Sequence, residues 1–337
     1  MTMTERSEKK LKTYSMLQTG RRLPSNYELV SSRLHYHYPH NFELSNENPV
    51  SKWYYQYRES SPLQAHDWEA FADPRSTTYR GYNELQNDKE TVVDGLLREI
   101  DESNYDDELA AEWVTFLHRW YGAWRFPVHG LEMISAYVGQ MAPVSRITNA
   151  GAFQSADEMR RIQRIAYRSA QLNARRGGCE PGEQKAFWED GEPFQAVREL
   201  IERALIAYDW GEAFTVLNLV IKPHLDRLLN EELAGVLAAT NGDTMLREIH
   251  FSLNEDALWH REWSRELARV AIADTPVNAD RFAAWVDEWR PRAVAAVESY
   301  VSVFEQAPVR VDANGVFARI TAAAEEDVKA ALATPVG

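Results

Sequence analysis

Residues Ser155–Gln171 read SADEMRRIQRIAYRSAQ, and nothing in this stretch interrupts a helix. Apolar or small side chains recur at helical spacing and give the helix one face suited to burial: Met159, Ile162, Ile165, Ala166, Ser169 and Ala170. Five of these residues, Asp157 to Arg161, read DEMRR, and a later stretch, Asp256 to His260, reads DALWH. We interpret the two pentapeptides as altered copies of one pattern, Asp-Glu-x-Arg-His.

The unaltered pattern places a Glu and a His on one helix face. Two such helices facing each other, with one Glu from each of two further helices, form a carboxylate-bridged di-iron site in a four-helix bundle. The first copy here keeps Glu158 but has Arg161 in the His position. The second keeps His260 but has Ala257 in the Glu position. Because Arg is always charged and cannot coordinate iron, the sequence predicts a di-iron bundle without its iron, in which Arg161 pairs with a carboxylate such as Glu158.

Simpler interpretations of the same residues stand beside this one. Ser155 and Glu158 fit the spacing of a helix capping box, and His260 fits an ordinary histidine on a helix surface. The two plain helices of the bundle also offer no obvious ligand. Their facing positions fall near residues 128–131, with Glu132 just outside, and near residues 223–224. At most Glu158 and His260 remain as ligands, too few to hold a di-iron centre.

Composition narrows the class of protein. The chain has 337 residues and a formal net charge of −14, which argues against a nucleic-acid or anionic-membrane partner. Its one cysteine, Cys179, excludes an internal disulfide and any motif of paired cysteines. The first ten residues, MTMTERSEKK, lack the apolar core of a signal peptide, and no apolar run is long enough to span a bilayer. We therefore expect a cytoplasmic protein.

Residues 1–90 differ from the rest of the chain, because they are rich in aromatic residues and proline but show little helical periodicity. We predict an extended N-terminal arm that packs on a partner subunit. The predicted contact residues of this arm are Trp53, Trp68, Phe71 and Tyr79. Three histidines of the arm, His35, His37 and His40, lie close together in sequence, but no second ligand cluster supports a metal site there.

Helical periodicity dominates from about residue 108 onward. We predict a helix pair, a crossover loop at about 175–192, and a second helix pair. One helix is predicted to run unbroken from 197 to 221, where Pro223 interrupts it, and Asn241-Gly242-Asp243 is predicted to be a turn and the N-cap of the His260 helix. The predicted fold is all-α, with an arm at 1–90, a ferritin-like helical bundle at 91–310 and a C-terminal helix at 311–337.

Nearly the whole chain resembles the β subunit of the hydroxylase component of bacterial multicomponent soluble di-iron monooxygenases, in the toluene, alkene and isoprene branch. The most specific stretches are ITNA at 147–150 and LIERALIAYDWGEAFT at 200–215. Further stretches are LKTYS at 11–15, RRLPSNYE at 21–28, LHY at 34–36, HDWEAF at 66–71 and YRGY at 79–82.

This resemblance implies a structural subunit of an oxidoreductase that uses NADH and O2 to oxidise an aromatic such as toluene, or an alkene such as isoprene. It implies an (αβγ)2 hydroxylase whose α subunit holds the di-iron centre, with no catalytic residue, cofactor or metal in this chain. It also implies a Rieske ferredoxin, an NADH reductase and an effector protein at the level of the holoenzyme. The alternatives are a stand-alone ferritin-like metalloenzyme with an atypical metal site, and a helical adaptor unrelated to oxygenases.

Overall fold

A computed structural model describes residues 22–31 and 47–333, and every regular element in these two ranges is helical. The three clustered histidines of the arm, His35, His37 and His40, lie outside the described residues. The α-helices are α1 Asn26–Ser31, α2 Pro49–Tyr54, α3 Tyr79–Glu102, α4 Tyr105–Glu108, α5 Ala111–Phe116, α6 Arg125–Met141, α7 Ser145–Arg176, α8 Glu183–Asp190, α9 Glu192–Ala204, α10 Trp210–Thr215, α11 Lys222–Asp226, α12 Ala238–Thr240, α13 Thr244–Asp274, α14 Asn278–Val301 and α15 Ala313–Leu332.

Short helical segments of other geometry join several of these helices. The π-helical segments are Tyr55–Glu59, Leu117–Tyr121, Val216–Ile221 and Arg227–Leu237, and the 3-10 segments are Trp68–Ala70, Gly122–Trp124 and Ser302–Gln306. As a result, residues 210–240 form one continuous helical rod built from α10, α11, α12 and two π segments. Pro223 lies in the first turn of α11, directly after a π segment, and the rod continues through it. The prediction that Pro223 interrupts the helix is therefore wrong.

Four long helical segments form the centre of the fold: α6, α7, the 210–240 rod and α13. Helices α6 and α7 are the first pair, α8 and α9 lie in the crossover, and the rod and α13 are the second pair. Helix α14 packs against α9 and the rod, and α15 packs against α13 and α14. This arrangement confirms the predicted all-α, ferritin-like bundle with one long connection.

The close approach of α6 and α7 depends on two glycines. A Cβ atom added to Gly151 on α7 would lie 2.7 Å from the Cα atom of Gly139 on α6. The two backbones therefore touch where α6 and α7 cross, and only glycine at this point allows that separation. The core of the bundle is filled by large side chains, among which Trp113, Trp124, Trp210 and Trp263 are fully buried.

One predicted helix is wrong for a local reason. The predicted helix over 197–221 is divided, because α9 ends at Ala204 and α10 begins after its N-cap, Asp209, whose side chain accepts a hydrogen bond from Glu212 N at 3.0 Å. The predicted limit of the arm at residue 90 falls inside α3. That helix begins at Tyr79, where the side chain of Thr78 accepts a hydrogen bond from Gly81 N.

The described part of the arm packs on the bundle of its own chain. Phe71 is 0% exposed and Trp68 is 9% exposed, and the Trp68 ring meets Trp210 edge-on at a centroid distance of 5.3 Å. Trp259 Nε1 donates a hydrogen bond to Asp73 Oδ1 at 2.8 Å and so fixes the turn that follows. Trp68 and Phe71 are therefore buried in their own chain, and the prediction that they contact a partner subunit is wrong. In the described residues, no helix combines the length and apolarity that a membrane crossing requires.

Candidate site: a buried ion cluster in the bundle core

Two acidic and two basic side chains meet in the core between α7 and the 210–240 rod. Glu158 and Arg161 lie one turn apart on α7, and Lys222 and Asp226 lie one turn apart on α11. Arg161 Nη1 donates to Asp226 Oδ1 at 2.6 Å, and Lys222 Nζ lies 2.9 Å from Asp226 Oδ2. Arg161 and Lys222 also each contact Glu158. Each cation therefore touches both carboxylates, and we refer to these four residues as the ion cluster.

The charges of the ion cluster balance inside the core. All four side chains are at most 5% exposed, and two cations face two carboxylates. Burial alone would raise the pKa of Asp226, but the charges of Lys222 and Arg161 outweigh it and hold that pKa below its usual value. Burial alone would lower the pKa of Arg161, but Glu158 and Asp226 outweigh it and raise that pKa. Asp226 and Arg161 are therefore both charged at neutral pH.

A second polar pair joins α7 to α13 beside the ion cluster. His260 Nε2 lies 2.9 Å from Asp157 Oδ2, and both side chains are buried. The other carboxylate oxygen, Asp157 Oδ1, accepts hydrogen bonds from Tyr82 at 2.7 Å and from Gln86 at 2.8 Å. Burial lowers the pKa of His260, and the nearby charge of Lys222 lowers it further. His260 is therefore neutral, and its contact with Asp157 is a hydrogen bond rather than an ion pair.

The first residue of the second pentapeptide, Asp256, belongs to an adjoining network, which is linked to Asp157 because Gln86 Nε2 also donates to Asp256 Oδ1 at 2.9 Å. Arg160 Nη1 donates to Asp256 Oδ2 at 2.6 Å, and Lys89 Nζ donates to Asp256 Oδ1 at 2.5 Å. Arg160 also donates to Glu90 at 2.5 Å. Burial raises the pKa of Asp157, and the neighbouring carboxylate of Asp256 adds to that rise. The network ties α3, α7 and α13 together.

The structure brings together most of the residues that the two pentapeptides singled out. The predicted pairing of Arg161 with Glu158 is confirmed. Ala257 and His260 are both buried on α13, so the interpretation of His260 as a surface histidine is wrong. The capping-box interpretation of Ser155 is also wrong, because Ser155 lies in the middle of the continuous helix α7 and donates to Glu132 at 3.0 Å.

Lys222 and Asp226 are the functional-site residues that sequence reasoning missed. The sequence analysis placed the facing register of the second plain helix at residues 223–224 and found no carboxylate there. The rod instead turns the flanking positions inward, one turn apart, where both side chains meet α7. The segment KPHLD, which follows the apolar run VLNLVI, contains a pattern from which Lys222 and Asp226 could have been predicted. A Lys and an Asp spaced i, i+4 on an otherwise apolar helix form a pair that can be buried together.

The residues present do not fit a di-iron centre. Such a centre needs carboxylate and imidazole ligands with free lone pairs that converge on the metals. In the bundle core, Arg161 and Lys222 form ion pairs with both carboxylates of the ion cluster. His260 is hydrogen-bonded to Asp157. No group of three or more His, Cys, Asp or Glu side chains among residues 22–31 and 47–333 could hold a metal ion. The alternative of a stand-alone enzyme with an atypical bundle-core site finds no ligand set in that part of the chain.

The other two predicted contact residues lie at the surface. Tyr79 is 75% exposed, and Trp53 is 38% exposed. Trp53 Nε1 donates to Tyr137 at 3.1 Å, and its ring packs against Tyr57 and Tyr208 at centroid distances of 4.5 and 5.0 Å. Trp53, Tyr57, Tyr137 and Tyr208 thus form an aromatic patch that is held in place by its own contacts. Two further apolar residues of α3, Leu85 and Val92, are also exposed.

Fold and site together define a class: a helical bundle with the architecture of a carboxylate-bridged di-iron protein, in which an ion cluster fills the bundle core. Residues 53–275 match the model of the methane/phenol/alkene hydroxylase family. The chain belongs to this family, and its relatives there include β, or small, subunits of hydroxylase components.

Known members show how far the similarity extends. The chain is 38% identical over 305 residues to the β subunit of the hydroxylase component of the toluene-4-monooxygenase system from Ectopseudomonas mendocina, covering 89% of this chain and 93% of that one. It is 25% identical to the small subunit of the hydroxylase component of propane 2-monooxygenase from Rhodococcus jostii (strain RHA1), over 74% of this chain and 69% of that one. A solved structure of toluene 4-monooxygenase, with toluene in its resting active site, superposes with a TM-score of 0.82 at 38% identity, covering 88% of this chain and 98% of that one.

Proposed function

We propose that this chain is the non-catalytic β subunit of the hydroxylase of an NADH- and O2-dependent di-iron monooxygenase. It stabilises the assembly of an (αβγ)2 complex, and the di-iron centre lies in the α subunit. The substrate class is a hydrocarbon, either an aromatic such as toluene or an alkene such as isoprene. A Rieske ferredoxin, an NADH reductase and an effector protein complete the holoenzyme, which works in the cytoplasm.

The observation that carries this proposal is the ion cluster. In a bundle of this architecture, the core between the paired helices is where a metal centre is assembled. Here Arg161 and Lys222 place two fixed positive charges between Glu158 and Asp226. The side-chain cations take over the charge neutralisation that metal ions provide, so the bundle is stable without them. A chain built this way contributes to the hydroxylase through its surface.

The surface features support assembly with a partner subunit. The aromatic patch presents large rings that are already ordered, and large ordered aromatics are typical anchors of protein interfaces. Tyr79, Leu85 and Val92 place further apolar area on the first turns of α3 and along its length. We propose Trp53 and Tyr79 as contacts with the α subunit.

The test is to purify the assembled complex and locate its iron. The chain is co-expressed with the α and γ subunits, and iron content and hydrocarbon oxidation are measured per assembled complex. Glu158→Gln in this chain is expected to leave both values unchanged, although less complex is recovered. The matched control replaces one iron-ligating Glu of the α subunit and is expected to remove iron and activity together. Loss of iron per assembled complex in Glu158→Gln would show that this chain holds metal.

A further inference from the structure

A cavity of about 360 Å³, whose lining includes no residue of the ion cluster, lies between the 210–240 rod, α14 and α15. Its inner wall is apolar and is formed by Leu219, Val220, Val286, Ala324 and Val328. One polar ring reaches into it, that of His224, and charged side chains stand at its mouth: Arg290, Glu325 and Lys329. An apolar cavity of this size with one convergent polar group has the form of a small-molecule site.

The orientation of His224 defines what its free nitrogen can do. His224 Nδ1 lies 2.7 Å from the carbonyl oxygen of Val220. A carbonyl can only accept, so Nδ1 carries the hydrogen and Nε2 carries a lone pair. Within the described residues, His224 makes no other hydrogen bond. Burial also lowers the pKa of His224, and its hydrogen bond to Val220 offsets this only in part. The ring is therefore a neutral acceptor on the cavity wall.

The charged residues at the mouth are already partnered. Arg290 contacts Asp287 at 2.6 Å, and Lys329 lies 3.8 Å from Glu325. Each cation at the mouth thus already has an acidic neighbour. An ionic ligand would have to break these pairs, whereas a neutral ligand would not. The apolar wall favours a ring or short hydrocarbon chain, and the acceptor on His224 favours one hydroxyl donor.

We propose that this cavity binds a small neutral phenol or alcohol, whose O–H donates to His224 Nε2 while its hydrocarbon part lies against Val286, Ala324 and Val328. The site uses no residue of the ion cluster, and its ligand is bound without chemical change. Hydroxylation of an aromatic yields a compound of this class. That link rests on the proposed function, whereas the binding itself does not, so each can fail without the other.

The first experiment needs no variant. Crystals of the assembled complex are soaked in 4-bromophenol, and the bromine is located from its anomalous scattering. We expect a bromine peak between α14 and α15, with the phenol oxygen within hydrogen-bond distance of His224 Nε2. A complex that shows bromine in other places but none in this cavity would overturn the proposal.

The second experiment measures affinity by equilibrium dialysis of radiolabelled phenol against the assembled complex. His224→Phe keeps a planar ring and removes the acceptor, so we expect phenol binding at this site to weaken about five- to tenfold, the effect of one hydrogen bond. Toluene, which has the same ring but no hydroxyl, should bind both forms equally. Other phenol sites in the complex contribute equally to phenol binding by the parent and by His224→Phe, so they cancel in the comparison.

Lys329→Gln is the matched control at the mouth of the cavity and should leave phenol binding unchanged. Weaker binding in Lys329→Gln would mean that the bound species is the phenolate anion, and the proposed neutral class would be wrong. If His224→Phe and the parent bind phenol with equal affinity, His224 does not accept a hydrogen bond from the ligand and the proposal is wrong. If His224→Phe fails to assemble, the bromophenol soak still decides the outcome.

Discussion

Arg161 Nη1 donates to Asp226 Oδ1 at 2.6 Å, although the two residues are 65 positions apart in the sequence. This contact joins α7 of the first helix pair to α11 of the second. The same guanidinium contacts Glu158 on its own helix. One side chain thus connects the two halves of the bundle at the level where a related metal-binding bundle would hold its metals.

Removing one member of the ion cluster is expected to be more damaging than removing a balanced pair. Asp226→Asn leaves Arg161 and Lys222 facing only one carboxylate, so we expect the free energy of unfolding to fall by about 3–5 kcal/mol. The matched control, Lys222→Met with Asp226→Leu, removes one charge of each sign and should recover most of that loss. Denaturant unfolding of the assembled complex measures both. Equal destabilisation by the single and double variants would contradict this account of the cluster.

The crossing of α6 and α7 is expected to tolerate no side chain at Gly151. A Cβ atom there would lie 2.7 Å from Gly139 Cα, so Gly151→Ala must push the two helices apart and should destabilise the chain by about 1–3 kcal/mol. Gly95→Ala on α3 is the control, because a Cβ atom there meets nothing within 4 Å. It should stabilise the chain by up to about 1 kcal/mol through helix propensity. Thermal melting of the two variants should therefore shift in opposite directions.

Acid is expected to weaken the fold through the buried histidine His250. Its Nδ1 lies 2.8 Å from Asn230 Oδ1, and its Nε2 accepts from the Tyr121 hydroxyl at 3.0 Å. Burial, with a smaller effect of Arg161, lowers the pKa of His250 to about 3. Between that value and the unfolded pKa of about 6.5, the unfolded state binds more protons, so stability falls as pH falls.

The expected slope for this one group is about 1.4 kcal/mol per pH unit. His250→Gln removes the titrating ring. Between about pH 4 and 6, the unfolding free energy of this variant should therefore change with pH less steeply than that of the parent, by this slope. Denaturant unfolding at a series of pH values measures the two slopes. Parallel pH profiles for the parent and His250→Gln would show that His250 is not responsible.

Tyr79 and Phe71 should separate assembly from folding. Tyr79 is 75% exposed, so Tyr79→Ala should leave the unfolding free energy of the chain nearly unchanged but weaken its association with the α subunit by about 1–2 kcal/mol. Phe71 is wholly buried in the chain's own core, so Phe71→Ala should destabilise the chain itself by about 3–5 kcal/mol. Sizing of the co-expressed complex and denaturant unfolding measure the two effects. Assembly of Tyr79→Ala as tight as that of the parent would exclude this residue from the interface.

The sequence by itself determined the helical class, the two paired halves and the loss of the metal-site pattern at Arg161 and Ala257. These features depend on residue type and on spacing within one helix, and both are local. The pairing of Glu158 with Arg161, one turn apart on α7, was predictable for the same reason. The N-cap role of Asp243 was also predictable, and its side chain accepts a hydrogen bond from Leu246 N at 3.1 Å.

Only the tertiary structure decided which groups complete the core site. Lys222 and Asp226 face α7 because the rod is continuous through Pro223 and because π segments on both sides of α11 alter its rotation. A regular helical period cannot show that change in register. The burial of Trp68 and Phe71 was likewise decided by packing against α10 and α13, since an aromatic side chain in an irregular segment can be covered by its own chain or by a partner. Local pattern specifies helices, and the register between helices specifies which buried charges meet.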